Sequence, residues 1–86
     1  MANEIHLSVS TAYGDCYESY VDYVKLPTAF GSLGILRGHC DMLCAVSPGN
    51  VCYSAGEERG SIEVGEGVAT VSNNEVILLV SSIKHE

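Results

Sequence analysis

Positive charge is scarce in this chain: four of its 86 residues are Lys or Arg, against eleven Asp or Glu, for a formal net charge of -7. That balance repels nucleic-acid phosphates and the anionic surface of a membrane, so DNA, RNA and direct lipid binding are set aside as functions. Long apolar runs are missing as well, none exceeding the length of Val76-Ile77-Leu78-Leu79-Val80, far short of a membrane span. The start, Met1-Ala2-Asn3-Glu4, lacks the basic segment and apolar middle of an export signal. A soluble protein is therefore expected, with Cys16, Cys40, Cys44 and Cys52 as reduced thiols and not a disulfide framework. No linker, internal repeat or low-complexity tract interrupts the sequence, and no helical apolar stripe is sustained over three turns.

What is present points to one β domain spanning residues 1–86. Hydrophobic residues make up 47% and charged residues 17%, a globular composition. A chain this short buries only about 60% of its unfolded surface, so a partner that adds to its stability would fit. Ile5, Leu7 and Val9 alternate with His6, Ser8 and Ser10, the period of a half-buried strand. Tyr13-Gly14-Asp15 reads as a turn. From Cys16 the chain is rich in Tyr and Val until Pro27 stops it, as one bent strand or two short ones. Leu33–Leu36 is a brief strand between glycines.

Met42–Val46 and Val51–Ser54 are predicted to face each other across Ser47-Pro48-Gly49-Asn50, where Pro then Gly favours a type II turn. Ile62–Val64, Val68–Val71 and Val76–Val80 follow as strands, and the polar tail from Ser82 to Glu86 is expected to fray. Eight to ten short strands with close turn signals make an all-β sandwich or flattened barrel.

Chemistry has few footholds. His39, Cys40, Cys44 and Cys52 are ligand types that zinc accepts, yet the spacing C-x3-C departs from paired C-x2-C knuckles. A two-residue turn at Pro48-Gly49 would set Cys44 opposite Tyr53 and Cys52 opposite Ala45, with the thiols on opposite faces. His39 beside Cys40 is a poor base for a nucleophile, since neighbouring side chains on extended backbone diverge. Glu57 and Glu58 sit in a glycine-bounded polar loop where solvent screens them. Gly65-Glu66-Gly67 precedes a strand instead of a helix and sets a carboxylate where phosphate would bind. Tyr17, Tyr20, Tyr23 and Tyr53 read either as an interface or as core packing with hydroxyls at the rim. A stand-alone metal or thiol module built on His39, Cys40, Cys44 and Cys52 is the rival to a non-catalytic binding domain.

The run Gly31-Ser32-Leu33-Gly34-Ile35-Leu36-Arg37-Gly38-His39, with Met42-Leu43 and Ser47-Pro48-Gly49 after it, resembles the epsilon subunit of F-type ATP synthases. Ile5–Ser10 looks like that family's first strand, and Gly65–Ala69 through Asn74–Leu79 like its last hairpin. The resemblance implies a ten-stranded β-sandwich in the central stalk, with no catalysis and no cofactor of its own, that couples the gamma subunit to the c-ring. It implies a c-ring contact at Phe30, Gly31 and Ser32, and a gamma contact along Thr11, His39, Met42, Leu43 and Cys44. It further implies a hetero-oligomeric, peripheral membrane complex on the cytoplasmic face of the bacterial inner membrane, or the matching face in an organelle. Two positions depart from the family's usual pattern: Asp41 stands where proline is common, and Ser32 where an acidic residue is common. Family members usually continue into a carboxy-terminal helical hairpin that in some restrains ATP hydrolysis, and this sequence ends at Glu86, so no such inhibition is expected of it.

Overall fold

A computed structural model describes residues 5–38 and 41–85, and in it the alternating apolar positions become the inner faces of ten strands. These are β1 (Ile5–Thr11), β2 (Cys16–Val21), β3 (Tyr23–Thr28), β4 (Gly31–Leu36), β5 (Met42–Val46), β6 (Gly49–Ala55), β7 (Glu58–Val64), β8 (Gly67–Ser72), β9 (Glu75–Val80) and β10 (Ile83–His85). They form two five-stranded sheets, the first in the order β2-β1-β9-β8-β5 and the second in the order β10-β7-β6-β3-β4. Neighbours are antiparallel except β1 and β9, which run parallel. The ten-stranded sandwich expected from the sequence is the observed fold.

Local chemistry decides where the chain turns back and where it changes sheet. Hairpins join β1 to β2, β3 to β4, β6 to β7 and β8 to β9, each within one sheet. The β8–β9 turn uses Asn73 and Asn74, both at positive φ (52° and 61°), the pair of left-handed residues that a type I′ turn requires. The other connections cross between sheets and are short. Asp22 alone carries β2 into β3, and it is pinned at both ends: its N–H donates to the Ser54 carbonyl at 2.7 Å, while its carboxylate accepts from the Gly56 N–H at 2.6 Å. The corners at 65–66 and 81–82 hold each other, Gly65 N–H donating to the Ser82 carbonyl at 3.0 Å and Ser81 N–H to the Glu66 carbonyl at 2.9 Å.

Three expectations are corrected. β5 and β6 are not a hairpin: β5 pairs with β8 in the first sheet, β6 with β3 and β7 in the second, and Ser47-Pro48 is a corner between them. Gly49 has no positive φ and opens β6, where the missing side chain lets the strand approach Pro27, whose Cβ would lie 3.1 Å from a Cβ on residue 49. The register argued from that hairpin falls with it, since Cys44 lies opposite Ala69 and Cys52 opposite Lys25 and Ser61. Pro27 does not end its strand either. It lies past the last β3–β6 pair, Lys25 with Cys52, so β3 continues to Thr28 on the β4 side without needing its missing N–H. Ile83–His85 of the tail form an edge strand, with Ile83 opposite Val64.

Between the sheets lie Ile5, Leu7, Val9, Val24, Leu26, Val51, Ile62, Val76 and Leu78, all essentially inaccessible, with other aliphatic residues around them. Tyr17 and Tyr53 close one margin of this aliphatic core. Their hydroxyls are hydrogen-bonded to each other at 2.9 Å and their rings lie 5.7 Å apart, so one pair bridges β2 of the first sheet and β6 of the second. Tyr53 also covers Gly60, where a Cβ would sit 2.5 Å from its hydroxyl oxygen. Burial, then the Tyr17 hydroxyl and its charge, push the Tyr53 pKa up to about 12 from the ordinary 10.0. Below pH 10 both folded and unfolded chains keep this proton. From about pH 10 to 12 the unfolded chain releases it first, so stability falls as pH rises. A urea midpoint measured across that window is expected to fall less steeply in Tyr53→Phe than in the parent chain.

Candidate functional site

The outer face of the first sheet is built by side chains that alternate away from the core. Two cross-strand rows define it, Ser8–Ile77–Thr70–Leu43 and Ser10–Leu79–Val68–Ala45. Leu43 is 69% exposed, Leu79 56%, Val68 48% and Ile77 44%. These residues lie on adjacent strands, so they form one contiguous apolar patch, and a patch of that kind on a small domain marks an interaction surface. Polar groups border it. His6 reaches Glu18 at 3.3 Å and Glu75 at 3.5 Å, and its ring lies 4.9 Å from that of Tyr20. An apolar centre with a polar rim is the layout of protein interfaces. No Lys or Arg occurs in the five strands of this sheet, whose charged residues are Glu18 and Glu75.

At one corner of the sandwich the β3–β4 hairpin projects Phe30 entirely into solvent, at 100% exposure. Thr28 builds the tip: its hydroxyl donates to the Gly31 carbonyl at 2.6 Å and accepts from the Phe30 N–H at 3.2 Å. Gly31 follows at φ 113°, which a side chain would strain, so glycine here fixes the direction in which Phe30 points. Beside the tip, β4 and β5 are edge strands of opposite sheets. A groove of about 460 Å³ opens between them, lined by Thr28, Phe30, Ser32, Leu33, Met42 and Cys44 among others.

The residues singled out in the sequence thus fall into separate places. Phe30 and Ser32 share the corner groove with Met42 and Cys44, so the two sets that the resemblance implied meet there. Leu43 points the other way, onto the apolar face. Thr11 is buried at the far end of β1, where its hydroxyl oxygen accepts from the N–H groups of Tyr13 at 3.2 Å and Asp15 at 3.3 Å. His39 and Cys40 lie outside the described residues. Cys16 is exposed on β2, Cys44 half-buried on β5 and Cys52 half-buried on β6. Burial pushes the Cys44 thiol above its ordinary value, which keeps it protonated and a weak nucleophile. Among the described residues, no three His, Cys, Asp or Glu side chains are grouped to hold a metal ion.

Sequence reasoning missed Val68, Ile77 and Leu79 as surface residues, although a signal was there. A strand with one watered face alternates, whereas Val76–Val80 is apolar throughout, the pattern of a strand covered on both sides.

The pattern of the family described as "ATP synthase, Delta/Epsilon chain, beta-sandwich domain" matches residues 4–86. The chain is 33% identical over 82 residues to the ATP synthase epsilon chain of Thermodesulfovibrio yellowstonii, covering 95% of this chain and 59% of that one. It is 37% identical over 82 residues to the epsilon chain of Nitratidesulfovibrio vulgaris strain Miyazaki, covering 95% and 61%. It therefore spans about three fifths of the length of these relatives. Among solved structures, a chain of the Euglena gracilis mitochondrial ATP synthase superposes with a TM-score of 0.85 at 19% identity, over 96% of this chain and 54% of that one. A chain of the Tetrahymena thermophila mitochondrial ATP synthase central stalk and c-ring gives 0.79 at 18% identity, over 95% and 66%. The solved structures share the fold, and the family pattern and the bacterial relatives agree with it along nearly the whole sequence. This chain belongs to the family of ATP synthase delta/epsilon chain β-sandwich domains.

Proposed function

We propose that this chain is the β-sandwich part of a central-stalk epsilon subunit in an F-type ATP synthase, a non-catalytic rotor element that joins the gamma subunit to the c-ring during ion-driven ATP synthesis. The observation that carries the reading is the apolar outer face of the first sheet, Leu43, Val68, Ile77 and Leu79, next to a corner from which Phe30 protrudes. The face meets gamma, with Met42 and Cys44 at its edge. Phe30, Gly31 and Ser32 meet the polar loops of the c-ring. Thr11 and His39 belong to the gamma assignment by resemblance, and buried Thr11 contributes there by shaping the β1–β2 turn. A cation-free face with a carboxylate rim suits a partner whose own rim is basic. Two hydrogen-bonded sheets joined by short corners suit an element that passes torque without bending. In a bacterium the complex sits on the cytoplasmic face of the inner membrane.

Purified chain mixed with purified gamma subunit at micromolar concentration is expected to co-migrate on size exclusion. Separate elution of the two at that concentration would overturn the assignment.

A further inference from the structure

The chain's cations are not evenly spread. All four, Lys25, Arg37, Arg59 and Lys84, belong to strands of the second sheet or to the loop after β4, in a chain whose net charge is -7. Two of them, Lys25 and Arg59, line the same groove of about 550 Å³ on the outer face of that sheet, with Tyr23, Cys52, Ser54 and Ser61. The register explains the convergence. One outward row runs Gly34–Lys25–Cys52–Ser61, and the next runs Leu36–Tyr23–Ser54–Arg59. Lys25 and Arg59 are therefore diagonal across β6, near enough for two long side chains to reach one bound group above Cys52 and Ser54.

The surroundings of the two cations differ from those of Lys84. Lys84 stands opposite Glu63, so a carboxylate on the neighbouring strand already faces it. Lys25 stands opposite Gly34 and Cys52, and Arg59 opposite Ser54. No Asp or Glu lines the groove, and Glu57 and Glu58, which precede Arg59 in the hairpin, are not among its walls. Among the described residues neither Lys25 nor Arg59 has an ion-pair partner. The groove also offers hydroxyl donors from Ser54 and Ser61 and an aromatic wall, because Tyr23 lies over Gly34, where a Cβ would sit 2.7 Å from the tyrosine oxygen.

From this arrangement we infer that the outer groove of the second sheet is a binding site for a small phosphate-bearing molecule. The phosphate lies between the Lys25 ammonium and the Arg59 guanidinium, whose forked donors match phosphate oxygens. The serine hydroxyls complete its shell, and the rest of the molecule rests against Tyr23. The groove's volume is that of an ordinary small-molecule site. It lies on the opposite sheet from the face assigned to gamma, so the two assignments stand independently.

Inorganic pyrophosphate serves as the probe, titrated into the chain at constant ionic strength against a chloride control and followed by amide chemical shifts. Saturable shifts confined to residues 23–25, 52–54 and 59–61 are expected. Lys25→Gln and Arg59→Gln are each expected to weaken binding about tenfold or more, the cost of losing one charge-assisted hydrogen bond. Lys84→Gln removes the same charge outside the groove and is expected to leave binding unchanged. Shifts that fail to saturate, or equal weakening by Lys84→Gln, would show only a general response to charge and overturn the site.

Discussion

Replacing Gly67 with alanine is expected to destabilise the chain by about 3 kcal/mol, at the upper end for forcing an extra atom into a close-packed contact. Gly67 opens β8, paired on one side with Val80 of β9 and on the other with Val46 of β5. A Cβ there would overlap the Leu79 carbonyl oxygen and lie 2.6 Å from the Val80 Cα. These are backbone atoms of a paired strand, so no rotamer change can make room, and relief requires pulling β9 from β8. Gly67 has no positive φ, which makes the constraint one of space and not of backbone conformation. For a domain of this size each kcal/mol moves the melting temperature by roughly 4–8 °C, so thermal denaturation should fall by about 12 °C or more. A change within about 0.5 kcal/mol, the range of ordinary surface substitutions, would mean that the two strands are not held this closely. The same contact explains the second glycine of Gly65-Glu66-Gly67: the segment is a corner between sheets whose glycines admit neighbouring backbone and the Ser81 side chain.

Much of the fold was legible because strand alternation is local. Ile5, Leu7 and Val9 announce the inner face of β1, and Asn73-Asn74 mark a turn wherever the strands go. What local pattern could not supply was the sheet to which each strand belongs. Ser47-Pro48-Gly49 between two apolar segments reads equally well as a hairpin or a corner, and only the distant partners, β8 for one strand and β3 with β7 for the other, decide. The tail is a similar case: Ser82 to His85 has weak strand propensity alone, and its order comes from pairing with β7. The interaction surfaces divide in the same way. Phe30 and Ser32 were singled out by the resemblance alone, and their meeting with Met42 and Cys44 depends on β4 and β5 being edges of opposite sheets. The continuous apolar run of β9 carried the remaining signal. It is too short for a membrane-spanning helix, and its lack of alternation is the pattern of a strand covered on both faces.

Leu79→Glu is expected to abolish the proposed gamma contact while sparing the fold. Leu79 stands on β9, a central strand, beside Val68 and one pleat from Ile77, so it occupies the middle of the proposed gamma contact. In the lone chain it is 56% exposed, and a substitution there costs no core packing. In the complex the change would forgo the burial of a leucine side chain, worth about 1.5–3 kcal/mol, and would set an unpaired carboxylate in a desolvated centre. A combined loss of at least about 3 kcal/mol corresponds to more than a hundredfold in Kd. The comparison substitution is Leu36→Glu, equally exposed but carried by β4 in the second sheet, which should bind gamma like the parent. Both variants should melt close to the parent chain, so loss of binding by Leu79→Glu alone would locate the interface on the first sheet. Equal binding by the two variants would move gamma off this face, because no protein interface of ordinary size tolerates a bare carboxylate at its centre without a measurable penalty.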